Sequence, residues 1–310
     1  MLDDDHPAGH VCLGTVYGGT GRNAEAILEF ERAIELDGPN HDALRGLAAV
    51  YEEMGQLEDA ETTYRRAIDA RPLHWAGYSG LGVFYLTHAR YRDAVETFEQ
   101  VIGLTPDSFL AYSNLGVAHA YMENWAAARV AFERSLAIKP TLAGYSNLGT
   151  LYFFEEALYF RAAAMYEEAL KLDEGNYLIW GNLGDAQYWG SQRDQADAAY
   201  VQALDRAEQL RETTPDDAAL LASMGGYQAM LGHQAEAIAL ITRSLNLAPD
   251  EPELRLQAAQ AYMQLARPAD ALEQLTAGIQ GGLSLALVTK NPWFDRLRDD
   301  PDFQTLVAEP

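Results

Sequence analysis

The sequence is short of cysteine and of positive charge. Cys12 is the single cysteine among 310 residues, so no internal disulfide can form and nothing in the cysteine usage indicates an oxidising compartment. Lysine and arginine number 22 against 46 aspartates and glutamates, which gives a formal net charge of −24. Because this excess repels phosphate backbones and anionic lipid, we expect neither nucleic acid nor a membrane surface as a partner.

The sequence also lacks long apolar runs. No stretch of about 18 apolar residues is present that could span a bilayer. The first ten residues, MLDDDHPAGH, lack the basic end and the apolar run of a secretion signal. We therefore expect a cytoplasmic protein, and we interpret residues 1–6 as an acidic N-terminal tail.

Motifs of catalysis are missing as well. No glycine-rich phosphate or dinucleotide loop occurs, and the histidines are too scattered to indicate a metal site. Carboxylates are abundant, but on a solvated surface they lack the perturbed surroundings that a general acid or base needs. We predict that the chain is not an enzyme and that it has no cofactor, no metal site and no catalytic residue.

The clearest positive feature is a short pattern that recurs about every 34 residues. A leucine and a small residue are followed about one helical turn later by an aromatic residue or a histidine. The copies are Leu13-Gly14…Tyr17, Leu47-Ala48…Tyr51, Leu81-Gly82…Tyr85, Leu115-Gly116…His119, Leu148-Gly149…Tyr152 and Leu183-Gly184…Tyr188. A period between 20 and 50 residues is typical of a stacked-repeat protein, in which each unit contacts only its neighbours.

Each unit holds two helical patterns, helix A and helix B, joined by a short turn. In the first unit Gly14 lies on helix A, while Ala26 and Phe30 share one face of helix B. Gly21 lies between the two patterns, where a tight turn needs a residue without a side chain. We expect Gly14 and Ala26 to be small because the two helix backbones approach closely there. The space that remains should be filled by Leu13, Tyr17 and Phe30.

This pattern resembles the tetratricopeptide repeat (TPR), a helix–turn–helix unit of 34 residues. The resemblance covers about residues 7–285 as about eight repeats, and it implies an all-α, right-handed superhelical solenoid. After residue 285 the period ends. There Asn291-Pro292 and Asp300-Pro301 each place a capping side chain before a proline. We predict that residues 286–310 form C-terminal capping helices, whose apolar residues, Trp293 among them, cover the open end of the last repeat.

Two repeats depart from the pattern. Repeat five has one extra residue between Tyr152 and Ala162 and no turn glycine, so we expect its helix A to run on or bulge. Repeat six has about seven extra residues after Ala203. Added to helix B, these residues extend it by roughly 10 Å beyond the array, and we expect the array to flex there.

The A helices are nearly free of charge. Residues 75–87, 108–122, 141–154 and 218–231 contain no Lys, Arg, Asp or Glu, and residues 177–190 contain only Asp185. The TPR resemblance implies that A helices line a concave groove and B helices form the convex back. We therefore predict an uncharged groove that binds a partner through the residues Asn114, Asn147, Asn182, Tyr121, Phe153, Phe154, Asp185, Tyr188 and Trp189.

Within this set, the three asparagines precede the Leu-Gly pair in successive repeats, and stacking would align their amides into a ladder that holds a peptide backbone. They could instead only brace neighbouring helices, and about half of the aromatic residues could belong to the core. Adjacent aromatic residues, as at 153–154 and 188–189, cannot both face one side of a helix, so at least one of each pair should reach the groove or the seam between repeats.

The function that follows is a non-catalytic scaffold whose groove binds an extended peptide or a partner helix of another protein. A first alternative is the sensory or docking part of a larger bacterial signalling enzyme. Repeats five to eight and the ending NPWFDRLRDDPDFQTLV resemble the C-terminal repeat arrays of bacterial multidomain kinases and nucleotide cyclases. A second alternative is a self-assembling scaffold, a homo-oligomer that joins through the open end of repeat one or through the groove.

Overall fold

The fold is entirely helical in the part of the chain that the structure, a computed structural model, describes. This part comprises residues 6–154 and 157–308, and it contains no strand. The prediction of an all-α fold is confirmed. Residues 1–5 of the predicted acidic tail lie outside the described residues, as do residues 155–156 within the insertion of repeat five. The chain forms two compact units, Met1–Pro140 and Thr141–Pro310, and each is described by itself.

In its described residues, the first unit consists of four consecutive helix pairs. Each pair has a first helix of 12 or 13 residues and a second of 14 or 15. In chain order, the helices are α1 (Pro7–Gly18), α2 (Asn23–Asp37), α3 (His41–Glu53), α4 (Leu57–Ala70), α5 (Trp75–Thr87), α6 (Tyr91–Leu104), α7 (Phe109–Tyr121) and α8 (Trp125–Ile138).

The second unit continues with helix pairs and ends in three short elements. The pairs are α9 (Leu142–Phe154) with α10 (Tyr159–Leu172), α11 (Tyr177–Trp189) with α12 (Arg193–Arg211), α13 (Ala218–Met230) with α14 (Gln234–Leu247), and α15 (Pro252–Gln264) with α16 (Pro268–Gln280). The short elements are α17 (Leu285–Thr289), a 3-10 helix (Pro292–Leu297) and α18 (Pro301–Val307). Phe294, Leu297 and Phe303 from these elements are buried in one core with Leu275 of α16.

Capping side chains set where several A helices begin. The side chain of Asn40 accepts hydrogen bonds from two backbone N–H groups in the first turn of α3. Ser108, Asn176 and Asp217 do the same with one N–H each at the starts of α7, α11 and α13. These bonds satisfy donors that a helix otherwise leaves free at its first turn, and they fix the start of each repeat.

Close contact between a glycine and an aromatic ring joins the two helices of most pairs. A Cβ built on Gly82 of α5 would lie 2.8 Å from the ring of Phe98 on α6, which is closer than such atoms approach. The same contact joins Gly14 to Phe30, Gly116 to Phe132, Gly149 to Tyr166 and Gly184 to Tyr200, at 2.6 to 2.8 Å. The expected roles of Gly14 and Phe30 are thus found in the structure, and they recur through both units. The expectation for Leu13 is wrong, because its side chain is 45% exposed and does not fill this space.

A buried alanine holds the corresponding place on each B helix. The eight alanines have no exposed surface, and they are Ala26, Ala60, Ala94, Ala128, Ala162, Ala196, Ala237 and Ala271. Successive members of this series are 34 residues apart, except for a step of 41 residues from Ala196 to Ala237. Because the series keeps its period through repeat five, the extra residue there is compensated before Ala162.

The turn between helices A and B uses a residue in the left-handed region. Gly21 has a φ of +73°, and Ala89, Glu123, Ala157 and Ser191 occupy the equivalent place with φ between +46° and +61°. Repeat five thus makes its turn at Ala157 without a glycine. The described part of α9 has 13 residues, as many as α7 and α11, and the expected run-on or bulge falls on residues 155–156, outside the described residues.

Helix α12 is shorter than the sequence predicts, and its added part packs differently. It has 19 residues against 14 in α10 and α14, so five of the seven extra residues lengthen the helix and the rest join the following turn. Ala207, in the added part, is fully buried against Leu220 and Met224 of α13. The extension therefore packs against the next helix through Ala207, while the three residues that follow it are exposed. The compact units divide at Pro140 and not at this extension, where we expected flexure.

Substitution of two glycines in the first unit tests the glycine–ring contact. Gly82→Ala should lower the free energy of unfolding by about 1 to 2 kcal/mol, because overpacking costs more than the gain in helix propensity. Gly103→Ala on α6 is the matched control, since nothing lies within 4 Å of its added Cβ. The control should raise stability by about 0.5 to 1 kcal/mol. Urea unfolding followed by circular dichroism measures both, and equal stabilisation by the two substitutions would contradict the contact.

Candidate functional site

The three predicted asparagines lie at equivalent places on A helices but not in one unit. Asn114 lies on α7 in the first unit, whereas Asn147 on α9 and Asn182 on α11 belong to the second. Each is partly buried. Among the described residues, none of the three side chains has a hydrogen-bond partner. Their amides are therefore available to a partner, and the ladder stays a prediction.

Four of the five predicted aromatic residues come together in the second unit, with two that were not predicted. The ring centroid of Phe153 lies 5.3 Å from that of Tyr159, which lies 6.1 Å from Trp189. Trp293 lies 5.3 Å from Tyr188 and 5.0 Å from Trp189. These distances fall in the range that favours edge and offset contacts. We call the six residues the aromatic cluster: Phe153, Phe154, Tyr159, Tyr188, Trp189 and Trp293.

The adjacent pairs divide between core and surface in different ways. Phe153 is 5% exposed, while Phe154 is 52% exposed, so one ring of the pair packs inside and the other reaches the surface. In α11 the place of the repeat's usual aromatic, four residues after the leucine, is taken by the buried Gln187. Tyr188 lies one residue further on and contacts Trp189 and Trp293 instead.

Trp293 is, with Tyr159, one of the two residues of the aromatic cluster that the sequence analysis missed. We predicted it as part of the cap over the last repeat, where its neighbours Phe294 and Leu297 are indeed buried. The ring of Trp293 packs on Tyr188 and Trp189 of α11. Asn291 fixes the start of the segment, because its side chain accepts the Trp293 N–H at 3.0 Å. Asn291 was recognisable as a cap, but no local pattern indicated the distant contact.

Tyr121 is the predicted aromatic residue that stands apart. It lies at the end of α7 in the first unit and is 63% exposed. Its ring stacks on Tyr91 of α6 with a centroid distance of 4.8 Å and an interplanar angle of 7°. This pair forms an exposed apolar patch of its own.

A cavity of about 190 Å³ lies between α11, α13 and α15 and is bordered by Trp293. Asn182 and Asp185, both predicted as groove residues, are in its wall. The Tyr200 hydroxyl donates to Oδ1 of Asp185 at 2.6 Å. Burial raises the pKa of Asp185 to about 7, although the hydrogen bond from Tyr200 acts in the opposite direction. The carboxyl group is therefore poised to change charge near neutral pH.

Comparison with known proteins agrees with this architecture. Residues 6–72 and residues 81–143 each match a family model described as tetratricopeptide repeat. These two segments are thus similar in sequence to tetratricopeptide repeats. The all-α solenoid fold of such repeats extends through the second unit, whose helix pairs follow the same pattern. A search of curated proteins gave no significant match.

Solved structures of several repeat proteins are similar in fold. One is described as pilF of Pseudomonas aeruginosa, with 21% identity, a TM-score of 0.58 and coverage of 72% of this chain and 96% of that chain. The type IV pilus biogenesis factor PilW has 19% identity and a TM-score of 0.55, with 69% and 96% covered. The APC/C hetero-tetramer Cut9-Hcn1 has 18% identity and a TM-score of 0.56, with 84% and 50% covered. At these identities the likeness concerns the fold alone.

The described residues contain neither a helix that could span a membrane nor a group of side chains that could bind a metal ion. Across residues 6–154 and 157–308, each helix is too short or too polar to cross a membrane. In the same ranges, no three His, Cys, Asp or Glu side chains are grouped in a way that could hold a metal ion. The candidate site of these repeats thus consists of amides, aromatic rings and the Asp185 carboxyl group.

Loss of Trp293 should destabilise the second unit. Trp293→Ala removes a ring that is 9% exposed, and it should lower the free energy of unfolding by about 3 kcal/mol. Trp75→Ala in the first unit is the matched control, because Trp75 is 45% exposed and its removal should cost less than about 1 kcal/mol. Urea unfolding followed by circular dichroism compares the two, and equal losses would contradict the packing of Trp293 on α11.

Asp185 should make stability depend on pH. A carboxyl group with a raised pKa binds its proton more tightly in the native state, so its contribution to stability falls as pH rises from about 4 to above 7. On acidification from about pH 8 to about pH 5, the native chain should gain about 2 kcal/mol more than Asp185→Asn. This gain is smaller than the free energy that corresponds to the whole pKa shift, because Asp185 is partly exposed to solvent. Urea midpoints at both pH values measure the difference, and an identical pH response of the two proteins would refute the assignment.

Proposed function

We propose that the chain is a non-catalytic scaffold that binds an extended peptide or a partner helix of another protein along its A helices. The observation that carries the proposal is a set of exposed apolar side chains on helices without charge. Helices α5, α7, α9 and α13 contain no Lys, Arg, Asp or Glu. Exposed on them are Val83, Leu110, Tyr121 and Phe154, each at 40% or more. Apolar surface of this kind is typical of protein-binding sites.

Amide groups would supply the polar part of the same surface. A side-chain amide can donate to a peptide carbonyl and accept from a peptide N–H, so it binds a backbone without reading its sequence. Asn114, Asn147 and Asn182 have no hydrogen-bond partner among the described residues. In each unit, a surface that combines such amides with apolar side chains suits an extended segment of another protein. The fold of the similar solved structures is compatible with this role.

A pair of phenylalanine substitutions tests the proposal. Phe154→Ala removes an exposed ring from helix A of repeat five, and Phe160→Ala removes one that is 66% exposed from helix B of the same repeat. Proteins captured from source cells by the intact chain are identified and then titrated against each variant. Phe154→Ala should weaken binding about tenfold, the effect of losing an anchor residue, while Phe160→Ala should leave it unchanged. Equal binding by both variants would remove the support for the A-helix surface.

The salt dependence of the affinity, measured in the same titration, is a second test of the proposal. Because apolar contacts and neutral amides dominate the proposed surface, affinity should change less than about threefold between about 50 mM and about 500 mM salt. A steep loss of affinity with salt would indicate that the acidic residues of the B helices form the binding surface instead.

A further inference from the structure

The cavity between α11, α13 and α15 has the size of a site for one side chain. Its volume of about 190 Å³ corresponds to about six water molecules of liquid. This is less than the roughly 300 to 1,000 Å³ of sites that hold a whole small molecule. The cavity is not fully enclosed, and Trp293 is one of the residues that line it. A side chain from a bound segment could therefore enter it.

A single carboxylate is the charged group of this cavity. Asp185 is the one ionisable acidic or basic side chain among the described residues that line it, apart from the Tyr227 phenol. No lysine, arginine or histidine of the described chain forms an ion pair with it. The Tyr200 hydroxyl donates to Oδ1 of Asp185, and Oδ2 of Asp185 has no partner among the described residues. Ionisation of a carboxyl group among apolar and amide groups is costly, and the positive charge of a ligand would offset that cost.

The amide groups of α15 add acceptors to the same wall. Oε1 of Gln257 is buried and has no hydrogen-bond partner among the described residues. Oε1 of Gln264 accepts from the Tyr188 hydroxyl at 3.4 Å, a long bond that leaves room for a second donor. Both glutamines line the cavity with Asp185. The wall therefore offers several acceptors to a donor-rich group.

We propose that this cavity binds a cationic side chain of the partner segment, and that an arginine fits it best. A guanidinium group presents five N–H donors in a plane, which suits a carboxylate and two amide oxygens together. The ring of Trp293 at the border can also contact a cation through its face. This inference rests on the proposed function in one respect: the arginine belongs to the partner segment that the A helices are proposed to bind.

Small probes test the cavity on the full chain without a partner. N-acetyl-arginine amide is compared with N-acetyl-citrulline amide, which has nearly the same shape but no charge. Binding is followed by calorimetry and by the shift of the Trp293 indole resonance, assigned with Trp293→Phe. The arginine probe should bind at least about tenfold more tightly than the citrulline probe, since hydrogen bonds to charged groups are the stronger ones. Equal affinity for the two probes would overturn the proposal.

Three variants locate the effect. Asp185→Asn keeps an oxygen for the Tyr200 hydroxyl and should abolish the preference for arginine. Asp197→Asn changes the charge equally at an exposed place on α12 and should preserve that preference. Gln257→Met should weaken arginine binding several-fold, and it tests the site independently if Asp185→Asn fails to fold. Unaltered arginine binding by Asp185→Asn or by Gln257→Met would refute the site. Failure of the probes leaves the Phe154 result unchanged, so the two proposals can fail separately.

Discussion

The contact between a glycine of helix A and a bulky side chain of helix B governs the structure. Phe98 and Tyr200 are almost fully buried because Gly82 and Gly184 leave space for their rings. A similar contact occurs in repeat seven, where a Cβ built on Gly225 would lie 2.7 Å from the side chain of Ile241. Since this contact fills the interior of a pair, the remaining faces of helix A stay available for neighbouring repeats and for the surface. The uncharged A helices, and the site proposed on them, depend on this arrangement.

Much of the fold could be predicted because its determinants are local. The period, the small residues and the capping side chains all act within one repeat, so sequence spacing alone identifies them. Two departures were harder to interpret from residue counts. In repeat five the turn at Ala157 adopts a left-handed conformation without glycine, which sequence patterns disfavour. In repeat six the buried Ala207 shows that the extra residues of α12 pack on α13.

The candidate site could be predicted only in part, because its geometry is set by distant residues. The A-helix pattern identified Tyr188, Trp189 and Asp185 as candidate site residues. It could not indicate Trp293, since that contact joins segments that no periodicity relates. The raised pKa of Asp185 was equally hidden, because it depends on burial by α12, α13 and α15 together. Sequence reasoning thus finds the residues of a repeat surface more readily than their environment.

The return of Trp293 onto α11 changes how the second unit can come apart. An array with contacts only between neighbours can fray from its end, losing one repeat at a time. Here the terminal 3-10 helix contacts repeat six through Tyr188 and Trp189, while Phe294 and Leu297 are held beside repeat eight. Release of the last repeat therefore also breaks contacts two repeats away. Repeats six to eight are therefore joined by contacts beyond those between neighbours, and they should unfold together in one cooperative transition.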